Sequence, residues 1–333
     1  MMTTNPQIIV GIDGRPESAH VLDWAIREAA VRHASLVLVH AVGNAIADHP
    51  DRVGEDLGTV IGQATAGGQR LLAVAAARVR MLNPTVAVDE CVSLEASVTA
   101  LRLADPRATM VVVGSRSGHQ VPSTLDGLET RLGTDLGCPV VEVTAASTSG
   151  GILAVADGTV WSLPILTAAF TEAALRRVPL TVVHVPDDEA DDGLRGFLSS
   201  MLVRQVHDLL ACFPTVELDL VTDQPTVLTV LAAAPRTMSC VVTDSDRLDA
   251  VPSVPVRLLV PSERPHAAPD EPVVATPGFD RAFEREFQTG FADDLESCWQ
   301  LPAVEPPVQP QLVRVRVRRN PLRRFGHEHR PLD

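Results

Sequence analysis

Lysine is absent from the 333 residues, and the 28 fixed cations are therefore all arginine. That absence reads as compositional bias rather than mechanism. Aromatic residues make up only 3% of the chain, so its cores have to be built from Val, Leu, Ile and Ala. Cys91, Cys138, Cys212, Cys240 and Cys298 are scattered, odd in number and without CxxC spacing. They read as reduced, mostly buried small hydrophobes of a cytosolic protein. No segment reaches the roughly 18 consecutive apolar residues of a transmembrane helix. The opening MMTTNPQIIVGID has no basic stretch followed by a long apolar run, so no signal peptide and a cytoplasmic location are expected. A net charge of −14 argues against general nucleic-acid binding, because a polyanion is repelled by most such surfaces.

What is present is enough apolar material to fold. Hydrophobic residues reach 45% and mean hydropathy is +0.14, and the length has room for two domains and an appendage. Self-similarity organises the chain. IIVGIDGRPESAHVLDWAIREAAVRHASLVLVHAV from Ile8 recurs as ILAVADGTVWSLPILTAAFTEAALRRVPLTVVHVP from Ile152, at a constant offset of 144 residues without a gap. Asp13 aligns with Asp157, Gly14 with Gly158, Ser18 with Ser162, Glu28 with Glu172, Arg32 with Arg176 and His40 with His184.

Each copy opens on an apolar strand ending in Asp-Gly, Ile8–Ile12 or Ile152–Ala156. A helix follows with apolar residues at i, i+3, i+4 and i+7 (Leu22, Ala25, Ile26, Ala29), then a strand at Leu36–Val42 or Leu180–Val185. Continuous apolar strands alternating with amphipathic helices predict buried parallel sheets with helices on their faces. The first copy continues with helix Gly68–Leu82, strand Thr85–Val92, helix Leu94–Leu103, strand Met110–Val113, helix Gly127–Leu136 and strand Val140–Val143. The second has helix Leu194–Phe213, strand Val216–Val221, helix Val227–Ala233, strand Cys240–Thr243 and strand Val256–Val260.

The VGIDG opening, the helix start around Trp24-Ala25, the strand LVLVHAV and the ending VVVGSRSG…DG…CPVVEV resemble the universal stress protein family over residues 4–145. The resemblance implies two tandem doubly wound parallel-sheet α/β domains of the adenine-nucleotide alpha-hydrolase-like kind. The domains expected are 1–147, a degenerate copy at 148–262, and a tail at 263–333. One branch of the family binds ATP, with magnesium, at the carboxyl ends of the strands, where open parallel sheets generally hold ligands. The family's phosphate signature falls on Gly114, Ser117, Gly127 and Leu128, with Gly118, Arg116 and Thr130 beside it as residues that offset departures from the pattern. Ser117 stands where the family has a second glycine, and Leu128 where it has a hydroxyl residue. Base and ribose contacts map by resemblance to Asp13 and, through its backbone, to Ala41. In family dimers the last strands pair, so Val140–Val143 and Val256–Val260 are expected to form an intramolecular pseudo-dimer. The second copy has only DSDRLDAVPSV between its last two strands, so Asp157 is expected to be a relic of the fold.

The tail differs in composition. After a Pro- and Ala-rich linker, Phe279, Phe283, Phe287, Phe291, Leu295 and Trp299 recur every fourth position, one ridge of a helix that fits a partner's groove or the protein's own body. Val313, Val315 and Val317 then alternate with Arg314, Arg316 and Arg318, the pattern of a strand that adds to a sheet edge in this molecule or another. The arginines suit nucleic acid, an acidic partner, anionic lipid or the acidic body itself. The sequence offers no catalytic constellation and no metal-ligand set. The expected function is a non-enzymatic stress-response regulator with an ATP or ADP site in the first copy. The alternative is a nucleotide-independent adaptor that works through its tail.

Overall fold

The computed structural model describes residues 6–16, 18–43, 57–104, 108–114, 136–146, 149–186, 190–244, 254–261 and 316–318. Apolar runs form the strands β1 (Gln7–Gly11), β2 (Ser35–Ala41), β4 (Ala108–Gly114) and β5 (Val140–Val143), while the more polar VDECVS forms β3 (Val88–Ser93). The later half repeats them as β6 (Gly151–Ala156), β7 (Leu180–His184), β8 (Leu218–Val221), β9 (Met238–Asp244) and β10 (Val256–Val260), and β11 covers Arg316–Arg318. Between them lie α1 (Ser18–Arg32), α2 (Leu57–Leu82), α3 (Ser97–Ala104), α4 (Ser162–Arg176), α5 (Asp192–Cys212) and α6 (Gln224–Thr237).

All eleven strands join one sheet in the order β11-β8-β7-β6-β9-β10-β5-β4-β1-β2-β3. Within each half the order is the same and every pairing is parallel; β5 and β10 meet antiparallel, Val256 opposite Val143 and Leu259 opposite Val140. This is the doubly wound α/β architecture that continuous apolar strands require, since such strands must be covered on both faces. One face carries a single apolar cluster under α1, α2, α4 and α5 that runs through both halves. The opposite face carries two clusters, one around Leu101 of α3 and one around Val227 of α6.

The repeat survives in detail. Helices α1 and α4 start and stop 144 residues apart, and both exits place a non-glycine residue in the left-handed region, His33 at φ 53° and Arg177 at φ 54°. The offset falls to 130 at β4 and β9 (Met110 and Cys240 each pair with the second residue of their first strand's repeat), so the later half is shorter between β7 and α5.

Several boundaries differ from the sequence reading for local reasons. Helix α2 begins at Leu57 and runs through Gly67-Gly68, where a helix start was expected. A Cβ at Gly68 would lie 2.7 Å from His40 Cδ2 and 3.2 Å from Val92 Cγ1, so this glycine serves close helix–sheet contact. Strand β3 starts at Val88 rather than Thr85 because Asn83 Oδ1 accepts the Thr85 backbone N–H at 3.2 Å and its hydroxyl at 2.7 Å, holding a turn. Helix α6 passes through Pro235 to Thr237, close enough to its end that little helical bonding is forfeited. Helix 127–136 and the aromatic tail helix lie outside the described residues. Among the described residues no helix is long and apolar enough to cross a membrane.

Candidate functional site

Strands β4, β1 and β2 are neighbours, so their carboxyl ends bring Gly114, Asp13 and Ala41 to one rim of the sheet. The turn after β1 is built by Asp13. Its Oδ1 accepts the Arg15 backbone N–H at 3.0 Å and the Ser18 hydroxyl, which ties the turn to the start of α1. Gly14 follows at φ +81°, a conformation that L side chains rarely adopt. Asp13 keeps 48% of its side chain exposed, with Arg15 Nε 3.6 Å away. His40, at the end of β2, has Nδ1 2.7 Å from the Ile12 carbonyl and so braces the ends of β1 and β2 by donating to it. Gly114 has a packing reason of its own, since a Cβ there would stand 3.1 Å from Val21 Cγ2 of α1.

The same turn in the later half is sealed. Asp157 is only 3% exposed, and its Oδ1 accepts from the Thr159 N–H (3.0 Å), the Thr159 hydroxyl (2.8 Å) and the Ser162 hydroxyl (2.6 Å). Gly158 again has φ +81°, but a Cβ there would fall 2.1 Å from the Leu198 carbonyl oxygen, because the backbone of α5 lies directly on the turn. Gln205 Nε2, further along α5, donates to the Thr159 carbonyl at 3.0 Å. His184 keeps the bracing role of His40, with Nε2 3.0 Å from the Asp157 carbonyl. A histidine that recurs where the rim is closed is a structural brace.

Of the residues expected at the site, Arg116, Ser117, Gly118, Gly127, Leu128 and Thr130 lie outside the described residues. So do Phe279, Phe283, Phe287, Phe291, Trp299 and Arg314 of the tail. Arg316 and Arg318 belong to β11, which pairs parallel with β8: Arg316 opposite Asp219, Val317 opposite Leu220, Arg318 opposite Val221.

One charged cluster was present in the repeat but was not read as a contact. Glu28 and Arg32 of α1 meet Glu172 and Arg176 of α4, each arginine bonding both carboxylates. Both glutamate side chains are 5% exposed. The Arg176 guanidinium also lies 5.8 Å from the centroid of the Trp24 ring. Burial raises the Glu28 carboxyl above its ordinary value, and the charge of Glu172 adds to this against the opposing pull of Arg176 and Arg32. A second buried pair crosses the seam, where Arg257 Nη1 of β10 reaches Glu142 Oε2 of β5 at 3.1 Å.

Residues 4–132 match the model of the universal stress protein family. A universal stress protein of Mycobacterium tuberculosis is 28% identical over 208 residues, covering 60% of this chain and 72% of the relative. Another from the same organism is 31% identical over 191 residues, covering 54% of this chain and 64% of its own length. In fold, the chain is similar to a universal stress protein from Archaeoglobus fulgidus with a TM-score of 0.53 at 13% identity, over 77% of this chain and 96% of that one.

Proposed function

This chain belongs to the universal stress protein family through residues 4–132, and from that premise we propose that it is a non-enzymatic stress-response regulator whose first half holds ATP or ADP with magnesium. The observation that carries this reading is the contrast between two copies of one turn: Asp13 is half exposed at the carboxyl end of β1, whereas Asp157 is buried under α5. Asp13 is the acceptor for base or ribose, the Ala41 backbone lies beside it, and Gly114 precedes Arg116, Ser117, Gly118, Gly127, Leu128 and Thr130, the residues assigned to the phosphate side. The later half, joined through β5 and β10, is its closed companion in a pseudo-dimer made of one chain.

Calorimetric titration of ATP with magnesium into the full chain tests this. Micromolar binding is expected, weakened at least about tenfold by Asp13→Ala, the loss of one or two charge-assisted hydrogen bonds. Asp157→Ala should leave affinity unchanged. Gly114→Val is a poor probe because it also collides with Val21. Absence of binding at millimolar ATP overturns the nucleotide reading, and steady hydrolysis that Asp13→Ala abolishes overturns the non-enzymatic one.

A second reading, a nucleotide-independent adaptor, is favoured by the addition of β11 to β8, which puts Arg316–Arg318 of the tail into a strand. In this reading Phe279, Phe283, Phe287, Phe291 and Trp299 fill a partner's groove. Deleting residues 278–333 should then abolish partner capture, and unchanged capture rejects it.

A further inference from the structure

The two halves end their sheets on β8 and on β3, and the chain supplies one strand, β11, that covers the first of these edges. Strand β11 adds in parallel to β8, with Arg316 opposite Asp219. The register of the inner strands shows what stands at the same place on the other edge. Thr181 of β7 pairs with Asp219, and its repeat equivalent Val37 of β2 pairs with Asp89; Leu180 pairs with Leu218, and its equivalent Leu36 with Val88. Asp89 on β3 is therefore the positional counterpart of Asp219 on β8. Each edge strand runs parallel to its inner neighbour, so both offer an incoming strand the same pattern of backbone donors and acceptors.

Among the described residues β3 pairs with β2 and its outer side has no strand partner. It is also longer than β8, six residues against four. Asp89 and Glu90 are both exposed on it, and the arginines of the tail segment supply the opposite charge. An unpaired edge of that length is a template for another strand.

We propose that the outer edge of β3 receives β11, Arg316–Arg318, of a second copy of this chain, with Arg316 in register with Asp89 as it is with Asp219 within one molecule. Residues 262–315 join β10 to the strand, and at up to about 3.3 Å per residue this connection spans to a neighbouring molecule. The tethered position on β8 holds the strand at low concentration, and a neighbour's β3 competes for it as concentration rises.

Sedimentation of the full chain over a wide concentration range reads this directly. Average mass should rise with concentration. Asp89→Arg places like charges opposite each other and should weaken the association at least about fivefold. Val317→Pro, which removes a backbone donor from β11 and changes no residue of the two halves, should do the same. A synthetic peptide of residues 311–320 should compete, and a scrambled peptide of the same composition should not. A constant mass overturns the proposal, as does association that survives both substitutions. Equal competition by the scrambled peptide also overturns it, because attraction to the acidic body would then suffice.

Discussion

Replacing Glu172 with alanine tests whether the charge cluster between α1 and α4 is a working part of the fold. Glu172 accepts from both Arg32 and Arg176, so its removal leaves two guanidinium groups sharing Glu28. Breaking a buried pair by deleting one partner costs about 3–5 kcal/mol. Arg32 and Arg176 retain 18% and 23% of their side-chain exposure and can partly rehydrate, which puts the expected loss near the lower bound, about 3 kcal/mol. Against a total stability of about 5–15 kcal/mol this is a large fraction. Urea unfolding at neutral pH, followed by far-UV circular dichroism and by tryptophan fluorescence, measures it. The loss should change little between low and high salt, because buried pairs are weakly screened. Combining Glu172→Ala with Arg32→Ala should reveal a coupling of about 1–3 kcal/mol. A loss below about 1 kcal/mol, the level of an exposed pair, would refute the reasoning. The pH dependence has a definite sign as well. Glu28 holds its proton more tightly folded than unfolded, so its contribution is present at low pH and is lost as pH rises through its folded value. The cost of Glu28→Gln should accordingly fall as pH rises from acid to neutral.

Gly158→Ala should cost more than about 3 kcal/mol, since it adds strain at positive φ to a collision with the Leu198 backbone. Gly14→Ala, with only the Leu71 side chain 3.3 Å away, should cost about 1–2 kcal/mol; thermal melts of the two variants compare them. Burial pushes the Cys240 thiol up to about 12, so maleimide labelling of native protein at mildly alkaline pH should modify exposed Cys212 and leave Cys240 unmodified until unfolding, as peptide mass mapping would show. Two hydrogen bonds of 2.8 Å from Arg78 hold the Asp23 carboxyl below its usual range; this stability is present above the unfolded value and is lost as pH falls through the folded one. Because the pair is partly exposed, Asp23→Asn should cost under about 1 kcal/mol at neutral pH and nothing in acid, measured by denaturant titration at both.

Much of the architecture was legible because most of the strands are short, continuous apolar runs, which a parallel sheet covered on both faces buries. Strand β10 was expected at Val256–Val260 and lies there, and β5 matches its expected bounds. Two of the misread boundaries have side-chain or close-packing causes that periodicity does not register. Gly67-Gly68 has the composition of a break, yet it serves a helix pressed against His40 and Val92. The Asn83 turn shortens β3 without altering its apolar pattern. At the candidate site the 144-residue repeat aligned Asp13 with Asp157, and the short segment before β10 set Asp157 aside as a relic; the repeat also aligned Glu28 with Glu172 and Arg32 with Arg176 without indicating that the four touch.

The sequence by itself determined the α/β class, the repeat, and the Asp-Gly turns that end β1 and β6, because hydrophobic period and the need for positive φ are local properties. The short segment between the last two strands already marked Asp157 as a relic, but only the tertiary structure showed how its turn is sealed, since that depends on where the backbone of α5 comes to rest on Gly158. It alone joined the repeated charges into one buried quartet and put β11 on β8 rather than β3. Each of these depends on distance between segments remote in the chain, and distance is what folding adds to sequence.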